Sequence, residues 1–368
     1  MIRKLLLAAA VVALGAWLAL GIRVRAQRAV RLPQSQGEAR GAWHVHTTHS
    51  DGRGTLDEVV AAAREAGLQF VVVTDHNVMT PEDQGWRNGV LVVEGTEVST
   101  PFGHVAALGV PRALTVEERD GDPLGAIARL GGAAVIAHPL HPRRPFTGWG
   151  RGAWRGMEIV SNDTSWGEVV VGREWGRAAL AAAALPFDGA RAVLALQDGD
   201  DDERRRFDAE LRAARRNDPR RPARVLLCSA DAHGYPSYRA AFEAFSMHLP
   251  IPLSGDAVQD VRGVTAALTD GRAVCVFDGV APAREVRLVR AREGRGFDLH
   301  VDAPDLSLAR FTLLRDGAVV AQRTPAARAG EAVVPFDCDG GSCPPGDYRV
   351  EGRWDGRPWI FTNPVGIE

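Results

Sequence analysis

His44-Val45-His46-Thr47-Thr48-His49-Ser50-Asp51-Gly52 sets two imidazoles two residues apart and a carboxylate shortly beyond them. In an extended strand, side chains two apart point to one face, so His44 and His46 can serve a single metal ion, with Asp51 arriving after a turn. Imidazole suits zinc, iron and manganese, and carboxylates bridge ions readily. An isolated His-x-His is also a common coincidence at a strand end, so its meaning rests on what the rest of the chain supplies.

From Gly41 onward the pattern alternates strand and helix. Thr55-Leu56-Asp57-Glu58 is a capping box, and Val59, Val60, Ala63 and Ala66 recur at helical spacing until Gly67. Buried strands are predicted at Phe70–Thr74, Val90–Val93, His104–Leu108, Ala133–Ala137, Met157–Val160, Val225–Cys228 and Ala273–Phe277. Helices are predicted over 123–131, across most of 168–216, and near 237–247 and 257–270. The run from Asp200 to Arg216 has acids first and bases last, matching a helix dipole, and reads as a solvated helix face.

Candidate ligands fall at or just beyond the carboxyl ends of these strands: His44 and His46, His76, Glu97, His138, and Asp231 with His233. Only His104, at a strand start, breaks the pattern. That edge is where side chains from different strands of an α/β barrel converge, and scattered core histidines have no reason to share it. With Asp51, six of the ten histidines and three carboxylates make nine ligands. They suffice for three ions if Glu97 bridges two.

In order, the set His-x-His…Asp, Asp-His, Glu, His, His-Pro and Asp-x-His resembles the PHP superfamily of polymerase and histidinol phosphatase domains over about residues 40–280. The resemblance implies a distorted (β/α)7 barrel and three divalent ions, zinc, manganese or iron. It implies His44, His46, Glu97 and Asp231 on the first ion, Glu97, His104 and His138 on the second, and Asp51, His76 and His233 on the third. The activity implied is phosphoester hydrolysis by a metal-bridging hydroxide. Paired divalent ions acidify a bridging water and clamp attacking and leaving oxygens.

Around this set, Asp75 and His49 are candidates to orient ligands. His141, three residues past His138, is the candidate acid for the leaving group. Arg143 and Arg144 could clamp a phosphate, whereas Trp149, Trp154, Trp166 and Trp175 could wall an apolar pocket or pack an insertion. The arginines favour a phosphoester, and the tryptophans a carboxyl ester, amide or carbamate. The overall layout resembles an exported branch that includes carbaryl-type carbamate hydrolases. A non-catalytic envelope binding protein is a third reading, which a complete ligand set disfavours.

The ends of the chain bear on compartment. Arg3 and Lys4 precede an uncharged run from Leu5 to Ile22, followed by Arg23, Arg25, Arg28 and Arg31. Residues 1–27 read as a signal peptide, cleavable after Ala26, or as an uncleaved membrane anchor, and 28–39 as a polar linker. Cys338 and Cys343 bracket the turn Asp339-Gly340-Gly341-Ser342 and are expected to pair, while Cys228 and Cys275, in apolar strands, are expected to be buried thiols. These features point to an extracytoplasmic protein, periplasmic or secreted. Net charge is −2, with 44 Lys plus Arg against 46 Asp plus Glu and no basic stripe, so nucleic acid is not an expected partner. After the metallohydrolase unit at 40–280, residues 281–368 change to short strands with turns such as Asp316-Gly317 and Asp355-Gly356, as in a small β-sandwich. His300 there has no second ligand at useful spacing and reads as structural. The expected architecture is therefore α/β, a PHP-like barrel followed by a C-terminal β-sandwich, acting on a small-molecule ester.

Overall fold

Apolar strands and amphipathic helices alternate in the computed structural model much as their spacing predicts, and the model describes residues 2–26, 32–33, 35–152, 154–172, 174–197, 202–218, 223–291, 295–338 and 342–368. Arg28, Arg31, much of the linker, Asp200 and the Asp339-Gly340-Gly341 turn lie outside the described residues. The N-terminal apolar run is one helix, α1 (Ile2–Ala26). Its Ile2–Arg23 portion, with mean hydropathy 2.5, is long and apolar enough to cross a membrane.

There follow β1 (Ala39–Val45), α2 (Leu56–Glu65), β2 (Phe70–Val73), β3 (Gly85–Arg87), β4 (Val90–Thr100), β5 (Gly103–Leu108), α3 (Val116–Asp120), α4 (Pro123–Arg129), β6 (Ala133–Ile136) and β7 (Gly156–Ser161). Next are α5 (Asn162–Val171), α6 (Trp175–Ala184), α7 (Gly189–Leu196), α8 (Asp202–Asn217), β8 (Val225–Ser229), α9 (Tyr238–Ala244), β9 (Ser246–Leu249), α10 (Ala257–Thr269) and β10 (Val274–Val276). The Thr55 capping box forms as expected, with Thr55 and Glu58 each satisfying the other's backbone amide. One correction concerns 237–247. The helix stops at Ala244 and Ser246–Leu249 is a strand, because these residues pair with both β1 and β10, and tertiary pairing overrides a short local pattern.

The strands run β1-β2-β4-β5-β6-β7-β8 in the sheet. The path then returns on itself: Ala230 N donates to Trp43 O, His46 N donates to Ala232 O, and Val45 bridges Ala232 in parallel. Every neighbouring pair on the path is parallel except those made by β5, which is antiparallel to both β4 and β6. Inside lies an apolar core that includes Phe70, Leu91, Val135 and Leu226.

The C-terminal strands are β11 (Arg284–Arg290), β12 (Gly296–Ala303), β13 (Ala309–Arg315), β14 (Ala318–Arg323), β15 (Gly330–Asp337), β16 (Gly346–Trp354), β17 (Arg357–Thr362) and β18 (Val365–Ile367). Asp316-Gly317 and Asp355-Gly356 form tight hairpin turns with both residues at positive φ, as their composition predicts. Strands β11, β12 and β15 form one sheet. The others pair with the main sheet through β10 and β17, and Phe297, Leu299, Phe311, Val350 and Trp359 share a core between the two.

Two expectations fail here. Cys228 and Cys275 are not free thiols: they are disulfide-bonded across 47 residues, with Cα atoms 5.9 Å apart. They lie on β8 and β10, which are not sheet neighbours, so only the folded packing brings them together. Cys338 and Cys343 pair as expected. Nor is α8 simply a solvated helix. Arg204 and Asp208 are buried, and Asp208 takes a bidentate pair of hydrogen bonds from Arg349 of β16 at 3.0 and 2.8 Å, while Arg215 reaches Asp347 at 2.8 Å. The charge run docks the C-terminal strands onto the first unit, because one face of α8 meets them instead of water.

Candidate metal centre

The premise that brings His44 and His46 together is corrected by the backbone. His44 is not extended: its φ is +66°, and the β1–β2 register shifts between Ala42 and Val45. The bulge turns adjacent residues the same way, so that Trp43 Nε1 and His44 Nδ1 both donate to Glu158 Oε1 at 2.7 Å. His44 Nε2 then faces His46 Nε2 across 3.0 Å. His138 and Asp231 also have positive φ, +28° and +38°. Such conformations cost on the order of 1–3 kcal/mol each and concentrate at functional sites.

All nine predicted ligands are brought together. Glu97 is the hub. Its Oε2 lies 3.2 Å from His44 Nε2, 3.3 Å from His46 Nε2 and 3.1 Å from His76 Nδ1, and its Oε1 lies 2.9 Å from both His104 Nδ1 and His138 Nε2. Asp231 Oδ1 sits 3.6 and 3.5 Å from the same nitrogens of His44 and His46. Asp51 lies 3.4 Å from His76 and 3.3 Å from His233. Ligand-like groupings are His44, His46 and Asp231; His46, Asp51, His76 and His233; and His76, Glu97 and His104. They share His46 and His76, a partition that differs in detail from the one the family resemblance implies. The exception at His104 also resolves: β5 is antiparallel, so its start lies on the same edge as the carboxyl ends of its neighbours.

Supporting groups hold these atoms in place. Among the described residues, Asp75 hydrogen-bonds no imidazole. It accepts from Thr47 N at 2.8 Å, Thr47 Oγ1 at 2.6 Å and Ser50 Oγ at 2.5 Å, pinning the loop that carries Asp51. Tyr238 Oη donates to His46 O at 2.8 Å and accepts from Gly54 N at 3.1 Å. A Cβ on Gly52 would lie 2.3 Å from His46 O, so only glycine fits there. His49 is exposed, with Nδ1 3.2 Å from Thr80 Oγ1. Ser161 Oγ donates to Asp231 at 3.1 Å.

Sequence reasoning missed Glu158. It is fully buried and receives Trp43, His44 and, at 2.8 Å, His138 N. Donation of His44 Nδ1–H leaves Nε2 as the nitrogen facing Glu97, the usual role of an outer carboxylate. A lone acid inside the apolar run Met157–Val160 was the signal available.

The field at this edge is strongly anionic. Burial opposes protonation of His44, but Glu158, Asp231 and Glu97 outweigh it and hold its pKa well above the ordinary value. His138 and His233 rise to about 9 against the same burial, the first through Glu97 and the second through Asp51 and Asp231. Burial alone would raise Glu97, yet His44, His104 and His138 hold it well below the usual carboxylate range. Hydrogen bonds from His233 and His76 pull Asp51 down as well. Glu94, three residues from Glu97 on β4, is by contrast pushed up to about 8 by burial and by Asp75 and Asp83.

A cleft of about 410 Å³ opens from Asp51, Asp231 and His233 past His141, Asp163, Arg53, Arg143, Arg144, Trp166 and Tyr235. His141 is buried, accepts from the amides of Arg143 and Arg144 at Nδ1, and sets Nε2 3.2 Å from Asp163. The side chains of Arg143 and Arg144 are exposed and have no acidic partner among the described residues. Of the four tryptophans, Trp166 lines the cleft. Trp149 and Trp154 instead pack beneath Arg206 and Arg224, and Trp175 lies on the surface of α6.

Residues 43–118 match the model of the PHP domain. The chain is 32% identical over 106 residues to phosphoribosyl 1,2-cyclic phosphate 1,2-diphosphodiesterase of Eggerthella lenta, a match covering 24% of this chain and 40% of that protein. The chain thus spans about two fifths of the curated relative's length. Among solved structures it is similar to a two-domain protein of Bacteroides vulgatus containing a predicted PHP-like metal-dependent phosphoesterase, at 13% identity and TM-score 0.40, covering 92% of this chain and 98% of that one. It is also similar to an amidohydrolase of Chromobacterium violaceum, at 15% identity and TM-score 0.32, covering 53% and 88%. The residues that match the PHP domain run from the end of β1 through β5 and carry six of the nine converging ligands.

Proposed function

We propose that this chain is a metal-dependent phosphoesterase whose seven closed strands are a distorted (β/α)7 barrel holding three divalent ions. The observation that carries the reading is the convergence of nine nitrogen and oxygen ligands on one edge around Glu97. The donor set suits such ions. Two buried imidazole nitrogens 3.0 Å apart, both faced by carboxylates, leave room for at most one proton between them, whereas a cation satisfies both lone pairs. Imidazole and carboxylate together fit zinc, manganese or iron. His44, His46, Asp231 and Glu97 would hold one ion, Glu97, His104 and His138 a second, and Asp51, His76 and His233 a third. When bound, such ions acidify a water molecule and stabilise charge on a phosphoryl group.

The chain's own residues supply the rest. Glu158 and Asp75 fix the ligands and the Asp51 loop. His141 keeps its proton on Nε2, since two amides occupy Nδ1, and from there can protonate a leaving oxygen, with Asp163 steadying the ring. Arg143 and Arg144 offer guanidinium groups to substrate oxygens at the cleft mouth. Hydrolysis of carboxyl esters, carbamates or amides on the same metals is the second reading, favoured by the exposed rings of Trp166 and Tyr235 along the cleft. Two disulfides and the apolar α1 support an extracytoplasmic, membrane-anchored protein.

The test is elemental analysis of the purified chain together with assays on aryl phosphate and aryl ester. Close to three ions with phosphatase activity, and a KM raised for phosphate alone in Arg143→Ala/Arg144→Ala, is the expected result. Esterase activity alone would move the assignment to the second reading, and absence of bound metal after zinc or manganese is supplied would overturn both.

A further inference from the structure

The outer faces of α5 and α6 carry apolar residues, interrupted by the exposed Glu174, that none of the described residues covers. Trp166, Val170 and Val171 on α5 and Trp175, Ala179, Leu180 and Ala182 on α6 are exposed, Trp175 by 67%, Val171 by 55% and Leu180 by 53%. The one basic side chain on α6, Arg177, is turned away, bonding Glu174 and Leu196 O. Isolated exposed apolar residues are ordinary, but several on two successive helices mark a candidate interaction surface.

What covers it follows from α1. The last turns of α1 pack on the end of α6: the Trp17 ring lies 4.8 Å from Phe187, Trp17 Nε1 donates to Ala183 O at 3.1 Å, and Arg25 Nε reaches Phe187 O at 3.4 Å. Arg23 and Arg25 close the apolar span, and basic residues at a span's end sit at the headgroup level. The carboxyl end of α6 therefore lies against the last turns of the span, from Trp17 within it to Arg25 at its close. Tryptophans are favoured where the membrane meets water, and the patch has two, Trp166 and Trp175.

We infer that the α5–α6 face docks on the lipid bilayer beside α1, which sets the mouth of the substrate cleft at the membrane surface. Trp166 belongs to both, lining the cleft and opening the patch. The active edge would then face substrates carried in or on the membrane plane, such as amphiphilic esters. This inference rests on the reading of α1 as a retained anchor.

All four native cysteines are paired, so a single introduced cysteine can be labelled selectively. The full chain is reconstituted into vesicles of phosphatidylcholine with phosphatidylglycerol, some lipids carrying a quencher. A fluorophore is placed at Val171→Cys, at Val11→Cys within α1, or at Thr324→Cys, exposed just past β14, as a control. Quenching at 171 and 11 but not at 324, with quenching at 171 lost on adding Trp175→Asp and Leu180→Asp, is the expected result. Quenching at 11 without quenching at 171 would overturn the docking while leaving the anchor intact. Quenching at neither would overturn both, and protection of 171 that depends on protein concentration instead of lipid would assign the face to a second copy of the chain.

Discussion

Glu158→Gln tests whether a buried carboxylate sets the protonation pattern of the site. The side chain has no solvent exposure and accepts from Trp43 Nε1 and His44 Nδ1 at Oε1, each at 2.7 Å, and from His138 N at Oε2 at 2.8 Å. A glutamine of the same shape has one acceptor end. If its oxygen keeps Trp43 and His44, its amide group meets the His138 amide donor to donor. If it turns over, His44 Nδ1 must become an acceptor, which moves the ring proton to Nε2, the nitrogen facing Glu97. Either arrangement leaves a buried donor unpaired, which costs about 1–3 kcal/mol of stability. Loss of an outer carboxylate of this kind typically weakens metal binding about 10- to 100-fold, or roughly 1.4–2.7 kcal/mol. The assay is competition with a chromophoric chelator at fixed pH, alongside chemical denaturation of the metal-free protein. Metal affinity within about threefold of wild type, with stability unchanged, would refute the assigned role.

Gly52→Ala should displace the Asp51 loop, since the new Cβ would lie 2.3 Å from His46 O. We expect loss of one bound ion by elemental analysis with the remaining ions retained, and full retention would show that the loop can yield. His248 is buried between Glu38 and Asp278. Burial opposes its protonation, yet the two acids raise its pKa to about 9. Its contribution, roughly 3 kcal/mol, is complete below about pH 6.5 and is lost as pH rises through 9, so wild type should lose its advantage over His248→Gln across that window in urea denaturation. Parallel pH profiles for the two proteins would contradict this. Replacing Cys228 and Cys275 by Ala should cost about 4 kcal/mol, against about 2 for Cys338 and Cys343, because the sequence separations are 47 and 5. Denaturation midpoints of the two double variants should therefore differ in that order, and a larger loss for the short loop would reject loop closure as the cause.

Much of the fold was legible because its signals are local. The Thr55 capping box, the apolar runs of β2, β6, β7 and β8, and the Asp-Gly hairpins all act over a few residues and formed where expected. Features that depend on distant partners were misread or unseen. The α8 charges look solvated until Arg349 is packed against Asp208, Cys228 looks like a thiol until β10 lies over it, and Ser246–Leu249 looks helical until two strands flank it.

The same division runs through the site. Residue type and order alone were enough to nominate the nine ligands, because metal chemistry demands imidazole and carboxylate and most of them fall at the ends of apolar strand-like runs. How they meet was decided by tertiary structure. The left-handed turn at His44, the antiparallel setting of β5 that brings His104 to the shared edge, and the burial of Glu158 behind His44 all follow from sheet order and closure. Local sequence specifies what a strand can present. Which strand lies beside it depends on the packing of the whole chain, and the hub at Glu97 exists only once that packing is complete.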